Sequence, residues 1–571
     1  MLRLACKLTF ITDCAFLCNV DHDSPPSLSG LQDLHLLCFG SMKRMSRLFI
    51  SVLALISSQV ISPGGAPCED LEKQVEAIMK RPLFKGSSFG ILVTELETGK
   101  VVYAHRPLAL QAPASTTKLV SCGGALGILG EDFRFRTNVV RTGDLEEGSV
   151  NGDLVLVASG DPNLSQRPNE KGRLQFVNRD HSYAGFSEAD LVPGDPLKIL
   201  REIARNIAAR GVREVKGDIV VDDGLFKEAN DSFVGSFSAI CINDNLVDFV
   251  ISPGARPGTS ARVTWQPSLD PVKVRIEAKT VEKTGRRRLW VENTSGPASF
   301  VVKGTIPAGS SPTVRICKFS NPALAAAHLF AAVLKKEGIL VKGKPQQATF
   351  GPAVYRDYEV VAQHISPPFS EAVRVCLKVS HNLHATMFPV LVGALHGKRG
   401  DRVAGYGKIR EFFAKGGLAV DSVLLQSGSG GGRSDSLSAR FLVDLLQFMA
   451  RRKDFSHFFD ALPIGGIDGT ISGRFKGSPL WGRVRAKTGT LVYKGSFNDQ
   501  WIYLSKALAG YIDLRTDKRP NDMLCFSILI ANTVSPDRSR AVKDLFSAQE
   551  DILEAVTSHW KKDTGSVPRK P

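Results

Sequence analysis

From Phe133 to about Gln363 the texture of the chain changes from helical patterning to short β-runs and turns. Between them run short β-type segments, among them Asp153-Leu154-Val155-Leu156-Val157, Gly217-Asp218-Ile219-Val220-Val221-Asp222-Asp223 and Val272-Lys273-Val274-Arg275-Ile276-Glu277-Ala278, separated by turn residues. Two helical patterns interrupt them, about Pro196 to Arg210 and Pro322 to Lys336. A block of this texture between two helix-rich segments predicts one or two inserted domains, rich in antiparallel sheet, with the flanking segments meeting across them. At 571 residues the chain is also too long for one ordinary core.

The flanks carry their own signals. Glu69 to Lys80 has apolar residues at Leu71, Val75, Ile78 and Met79, a helical period. Phe89 to Leu96 and Lys100 to His105 read as strands of a hairpin around Thr98-Gly99. A helix from about Ser115 contains Gly123 and Gly124, which cost about 1 kcal/mol each in a helix interior unless another element approaches closely there. After Ile365-Ser366-Pro367-Pro368, helical patterning runs from Phe369 to His396 and from Tyr406 to Ala414. Gln426-Ser427-Gly428-Ser429-Gly430-Gly431-Gly432-Arg433 is a poor phosphate cradle, because no strand leads into it and no Gly-Lys-Ser/Thr follows; it reads as a flexible loop. Strands are predicted at Arg483 to Lys487 and Leu524 to Ile530, then an amphipathic helix from about Ser539 to His559 and a loose tail from Lys561 to Pro571.

Met42-Lys43-Arg44-Met45-Ser46-Arg47, then Leu48 to Ile56, then a small-residue zone ending Gly64-Gly65-Ala66-Pro67, has the layout of a secretory signal peptide. Its apolar core is short for a membrane span, and no apolar run of spanning length follows it. Signal peptides begin at the first residue, so Met1 to Ser41 is expected to lie upstream of the true start, at Met42 or Met45. The net charge of +16, from 73 Lys and Arg against 57 Asp and Glu, invites a nucleic-acid reading. Its basic clusters, such as Arg286-Arg287-Arg288 and Arg451-Arg452-Lys453, are short, scattered and not interleaved with aromatic residues, which argues against that reading. A diffuse positive field suits an anionic polymer or a carboxylate-bearing substrate. The ten cysteines include no C-x-x-C pair and no zinc-type spacing with histidine, and most are expected to be buried.

Ser115 and Lys118 are three residues apart, so a helix beginning there puts hydroxyl and amine on one face. A serine needs a base beside it, and a lysine serves as one only where burial or a second cation keeps it partly neutral. The first helical turn also aims N–H groups and the positive dipole end at a forming oxyanion. This spacing alone decides nothing, since Ser558-His559-Trp560-Lys561 repeats it. Two further motifs follow: Ser380-His381-Asn382 on a helical stretch and Lys487-Thr488-Gly489-Thr490 on a strand. Lys283-Thr284-Gly285 reads as a hairpin turn and comes too early, Ser149-Val150-Asn151 is the turn before Asp153, and Ser496-Phe497-Asn498 lacks the order and setting.

Ser-x-x-Lys, Ser-x-Asn and Lys-Thr-Gly in this order form the signature of active-site serine penicillin-interacting enzymes. On these residues the chain resembles the D-alanyl-D-alanine carboxypeptidase/endopeptidase family, the class C low-molecular-mass penicillin-binding proteins, from about Glu69 to Val556. Gly160-Asp161-Pro162-Asn163-Leu164, Asn243-Asp244-Asn245, His364-Ile365-Ser366-Pro367-Pro368 and Leu508-Ala509-Gly510-Tyr511 resemble family segments as well, and so does the long interval between Lys118 and Ser380. Two stretches depart from the pattern. The family's Asp-Gly-Ser-Gly-Leu-Ser-Arg loop is here Ser427-Gly428-Ser429-Gly430-Gly431-Gly432-Arg433, and the segment from Leu491 to Leu508 is long, with Tyr493, Phe497, Trp501 and Tyr503.

The resemblance implies an α+β fold: a penicillin-binding transpeptidase/β-lactamase-like catalytic domain, antiparallel sheet flanked by helices, built from 67–132 and 364–560. It implies a β-rich accessory insert at 133–363, after a leader at 1–66 and before a tail at 561–571. It implies two-step acyl transfer on peptidoglycan stem peptides ending in D-Ala-D-Ala, with β-lactams as ligands; the diffuse positive field suits an anionic wall polymer as a further partner, and the signal-peptide layout predicts periplasmic or secreted location. Ser115 would be the nucleophile and Lys118 its base. Ser380 would relay a proton to the leaving amine, Asn382 would orient Lys118 and the substrate amide, and Lys487 would lower the Lys118 pKa and attract the terminal carboxylate. Thr488, Gly489 and Thr490 would bind substrate, with Ser115 and Thr490 N–H groups as the oxyanion hole, and no cofactor or metal is called for. A β-lactamase or esterase, or a wall-binding protein without turnover, are the alternatives. His381 reads as a spacer, Asp161 and Asp244 as turn formers, and the aromatics after Leu491 as packing.

Overall fold

The computed structural model describes residues 67–269, 272–296 and 298–565. The signal-peptide and start-site readings fall on 1–66, outside these residues. A sheet whose paired strands all run antiparallel carries the order Val101–His105, Ser88–Glu95, Met523–Ala531, Trp501–Asp513, Val484–Lys494, with Thr533–Ser535 also pairing to Trp501–Asp513. Strand alternation assigns its faces: Ile91 and Val93 pack with Leu71, Val75 and Leu545, from helices Pro67–Met79 and Arg538–Asp563. Leu92 packs on the opposite side with Leu119 and Leu442, from helices Thr117–Leu129 and Ala439–Ala450. Thr117–Leu129 is buried from Thr117 to Leu126, and a Cβ on Gly124 would come within 2.6 Å of Ile409, the close approach that offsets the cost of glycine there.

Several boundaries differ from the sequence reading. The stretch from Phe369 to His396 is two helices, Phe369–Val379 and Asn382–His396, broken where Ser380 turns left-handed at φ 63°. Hydrophobic periodicity does not register that break, because both helices are buried along most of their length. Helices Ala439–Ala450 and Phe455–Ala461 and strand Trp501–Asp513 add to the predicted set. The last helix continues to Asp563, so Lys561 belongs to it rather than to a loose tail.

The segment 133–363 is more parallel than predicted. Its five-stranded sheet has the order Pro345–Ala348, Ile219–Asp222, Leu154–Val157, Arg136–Arg141, Glu359–Ile365, and the first three run parallel. Parallel neighbours need long crossovers, and the two predicted helices, found at Lys198–Ala209 and Pro322–Lys336, lie within those connections. Lys283 to Gly285 is not a hairpin: Lys279–Val281 and Arg288–Asn293 both pair with Ser299–Pro307. The boundary at 363/364 falls inside strand Glu359–Ile365, which pairs with Arg136–Arg141 from Arg136↔Ile365 onward, so the chain enters and leaves this segment side by side. From Pro67 onward the chain is one compact unit. Among the described residues no helix is long and apolar enough to cross a membrane.

Candidate active site

Ser115 lies in a single 3-10 turn, Ala114–Thr116, and the α-helix proper begins at Thr117, two residues later than the spacing suggested. Lys118 is thereby placed in the first α-helical turn, fully buried, with its ammonium 2.8 Å from each of three acceptors: Ser115 Oγ, Asn382 Oδ1 and the Ser429 carbonyl. Three donors meet three acceptors, which fixes the amine with one of its hydrogens toward the serine. Asn382 reaches Lys118 because the left-handed Ser380 ends one helix and His381, accepting from the His384 N–H at 3.4 Å, caps the next. Lys487 donates to Ser380 Oγ and to the Thr488 carbonyl, both at 2.8 Å.

Strand Val484–Lys494 can lie against the serine turn because Gly489 has no side chain; a Cβ there would come within 2.5 Å of the Pro113 carbonyl oxygen. On the other side, Gly430, at φ 80°, leaves room for the Ala114 carbonyl. Gln426 to Arg433 is therefore packed rather than flexible through its first half. Ser427 and Ser429 are buried, Gly428 accepts from Ser121 Oγ at 2.8 Å, and Asp435 takes the Gln426 N–H at 2.6 Å. The cleft between these elements has a volume of about 200 Å³, and its walls include Ser115, Ser380, Asn382, Ser429, Thr488 and Thr490. Lys118 and Lys487 lie beneath that surface. A larger cavity of about 420 Å³ shares only Phe233 and Asn382 with this cleft, and Ser115 is not on its walls.

Burial pushes the Lys118 amine down to about 8. The predicted cause was the charge of Lys487, but desolvation dominates, and the repulsion between the two amines is felt at Lys487, which burial and then Lys118 hold well below the ordinary lysine range.

Several contributors carry no motif. Ser429 acts through its carbonyl, Tyr183 donates its hydroxyl to the Ser380 carbonyl at 2.6 Å, Thr470 meets Thr488 at 3.1 Å, and Lys506 donates to Thr490 Oγ1 at 2.8 Å. Asp161 holds its own turn through the Asn163 N–H at 2.9 Å, as expected. Asp244 does more than form a turn. Its carboxylate accepts from Arg167 at 2.6 Å, His181 at 2.8 Å and His384 at 2.8 Å, all buried, and His384 stacks on His381 at 3.7 Å. Burial alone would raise Asp244, yet Arg167 and the imidazoles hold it well below the carboxylate range. Cys241, Asp244 and His384, and likewise Asp180, Asp244 and His381, bring ligand-type atoms within 4.8 Å of one another, but the Arg167 cation on the shared carboxylate opposes a metal ion in either set. The two departures from the family pattern meet: Arg433 lies over the Tyr493 ring at 4.2 Å. Tyr503 is buried packing as predicted, while Phe497 is fully exposed.

The model of the D-Ala-D-Ala carboxypeptidase 3 (S13) family matches residues 71–551. A D-alanyl-D-alanine carboxypeptidase of Actinomadura sp. (strain R39) is 27% identical over 540 residues, covering 90% of each chain. The D-alanyl-D-alanine carboxypeptidase DacB of Haemophilus influenzae is 23% identical over 438 residues, covering 74% of this chain and 83% of that one. The crystal structure of penicillin-binding protein 4 (dacB) from H. influenzae superposes with a TM-score of 0.66 at 21% identity, over 83% of this chain and 98% of that one.

Proposed function

The chain belongs to the D-Ala-D-Ala carboxypeptidase 3 (S13) family and is a serine-type penicillin-binding carboxypeptidase/endopeptidase, and from that premise we propose that Ser115 is the residue acylated. The observation that carries the assignment is the three-way clasp of Lys118, which joins the hydroxyl of Ser115, the amide of Asn382 and the backbone at Ser429 at 2.8 Å each.

Ser115 attacks the carbonyl of the penultimate D-alanine, and Lys118 removes its proton, favoured by the depressed amine pKa. Ser380, held by Lys487, returns a proton to the departing D-alanine amine. Asn382 orients Lys118 and the substrate amide. The N–H groups of Ser115 and Thr490 receive the oxyanion, worth about 3–4 kcal/mol per donor in other hydrolases. Thr488 and Thr490 take the terminal carboxylate, with Gly489 leaving room between them, and water releases the acyl group. The segment 133–363 is an accessory insert. The reaction lies outside the cytoplasm, where peptidoglycan is, and the basic and apolar stretch from Met42 to Ala66 serves as the export signal.

Incubation with a fluorescent penicillin, then with a D-Ala-D-Ala-ended peptide, tests the proposal. The wild-type chain is expected to label persistently and to release D-alanine, and Ser115→Ala to do neither. Labelling of Ser115→Ala at the wild-type rate overturns the assignment. Rapid loss of the label points to a β-lactamase, and labelling without D-alanine release to a wall-binding role.

A further inference from the structure

No motif points to Lys506. It lies on Trp501–Asp513, directly across from Thr490 in the strand register, and is only 4% exposed. Its ammonium donates to Thr490 Oγ1 at 2.8 Å and sits 4.2 Å from the centre of the Phe546 ring. Among the described residues no carboxylate forms an ion pair with it; Glu550, on the neighbouring helix, is taken by Arg474 at 2.7 Å. A buried cation without a counter-ion is costly to fold around, and this one holds the side chain of Thr490, a residue on the wall of the catalytic cleft.

We propose that Lys506 is a specificity-determining cation of the carboxylate subsite, acting through the hydroxyl of Thr490. This rests on the reading that Thr488 and Thr490 receive the substrate's terminal carboxylate. An ammonium can only donate, so while Lys506 is charged the Thr490 oxygen is its acceptor, and the hydroxyl hydrogen is left for the carboxylate. A neutral amine can accept that hydrogen and withdraw it from the ligand. The missing counter-ion is then the substrate itself.

The surroundings favour an anion. Arg474, from the segment after Gly469–Ile471, adds a second cation beside Lys506, and Glu550, from helix Arg538–Asp563, pairs with Arg474. Burial, with Arg474 adding to it, brings the Lys506 amine down to about 7, so its proton is easily lost and an anion beside Thr490 draws it back. By linkage, carboxylate binding and proton binding at Lys506 strengthen each other.

The test compares second-order acylation by benzylpenicillin, which carries a free carboxylate, with acylation by its methyl ester, read as the mass of the acyl-enzyme. The wild-type chain is expected to prefer the carboxylate. Lys506→Met is expected to lower the carboxylate-to-ester rate ratio about tenfold, whereas a merely structural disturbance slows both reagents alike and leaves the ratio where it was. In a Thr490→Val background, Lys506→Met is expected to change the ratio no further. A wild-type chain with no preference overturns the carboxylate reading and this inference with it. A wild type that discriminates while Lys506→Met discriminates equally overturns the inference alone. A Lys506→Met effect undiminished in Thr490→Val overturns the route through the hydroxyl.

Discussion

Lys118 shows how much one side chain must reconcile: it is fully buried and spends all three ammonium hydrogens on fixed acceptors, and in the role proposed for it, it must also give up a proton. Burial supplies the solution by bringing its pKa to about 8. Since the neutral amine is the active form, acylation by the penicillin ester is expected to rise with pH, reach half its maximum near pH 8 and level off above it, as stopped-flow rates would show; a flat profile from pH 6 to 9 counts against Lys118 as base. Lys118→Met should lower the acylation rate by about 10²–10⁴-fold. At this scale the sequence pointed to residues of a given side-chain type at a given spacing, and the structure brings Ser115, Lys118 and Asn382, and Ser380 and Lys487, to one cleft. It was unreadable at Ser429, because every residue has a carbonyl, and at Lys506, whose role depends on a cross-strand neighbour.

Among the elements, the edge strand Val484–Lys494 and the serine turn meet backbone to backbone, and Gly489 is the condition for it. Gly489→Ala puts a methyl group within 2.5 Å of the Pro113 oxygen, so the strand must shift away from Ser115. The expected result is a loss of about 1–3 kcal/mol in stability, as for other overpacked sites, with acylation slowed at least tenfold. Thermal unfolding and penicillin labelling measure the two, and unchanged labelling would show the strand free to move without consequence. Most helices and strands of this layer were legible from periodicity, since each buries one or both faces against neighbours. The left-handed break at Ser380 was not, because αL geometry at a serine costs about 1–2 kcal/mol and has no compositional signature. What holds it is a tertiary contact, the Tyr183 hydroxyl on its carbonyl, with the local His381 cap behind it.

Across the molecule, the buried carboxylate of Asp244 ties the segment 133–363 to the helix that carries Asn382. Asp244 is itself left-handed at φ 54°, between Asn243 at 49° and Asn245 at 57°, a run of strained residues retained around a fully satisfied acid. Asp244→Asn leaves Arg167 without half of its charge partners, and breaking a buried pair in this way is expected to cost about 3–5 kcal/mol, read from the urea midpoint. A midpoint within experimental error of the wild type would mean Asp180 alone suffices for Arg167. The neighbouring strands Arg136–Arg141 and Glu359–Ile365 form a tidy seam at which the segment could be cut out and the ends rejoined. Such a surgery would still strip the Ser380 carbonyl of its phenol donor and leave two stacked imidazoles facing empty space. This segment is thus masonry of the cleft and not freight carried beside it, and any graft or shuffle of this chain has to bring Tyr183 and Asp244 along or rebuild the bend they prop.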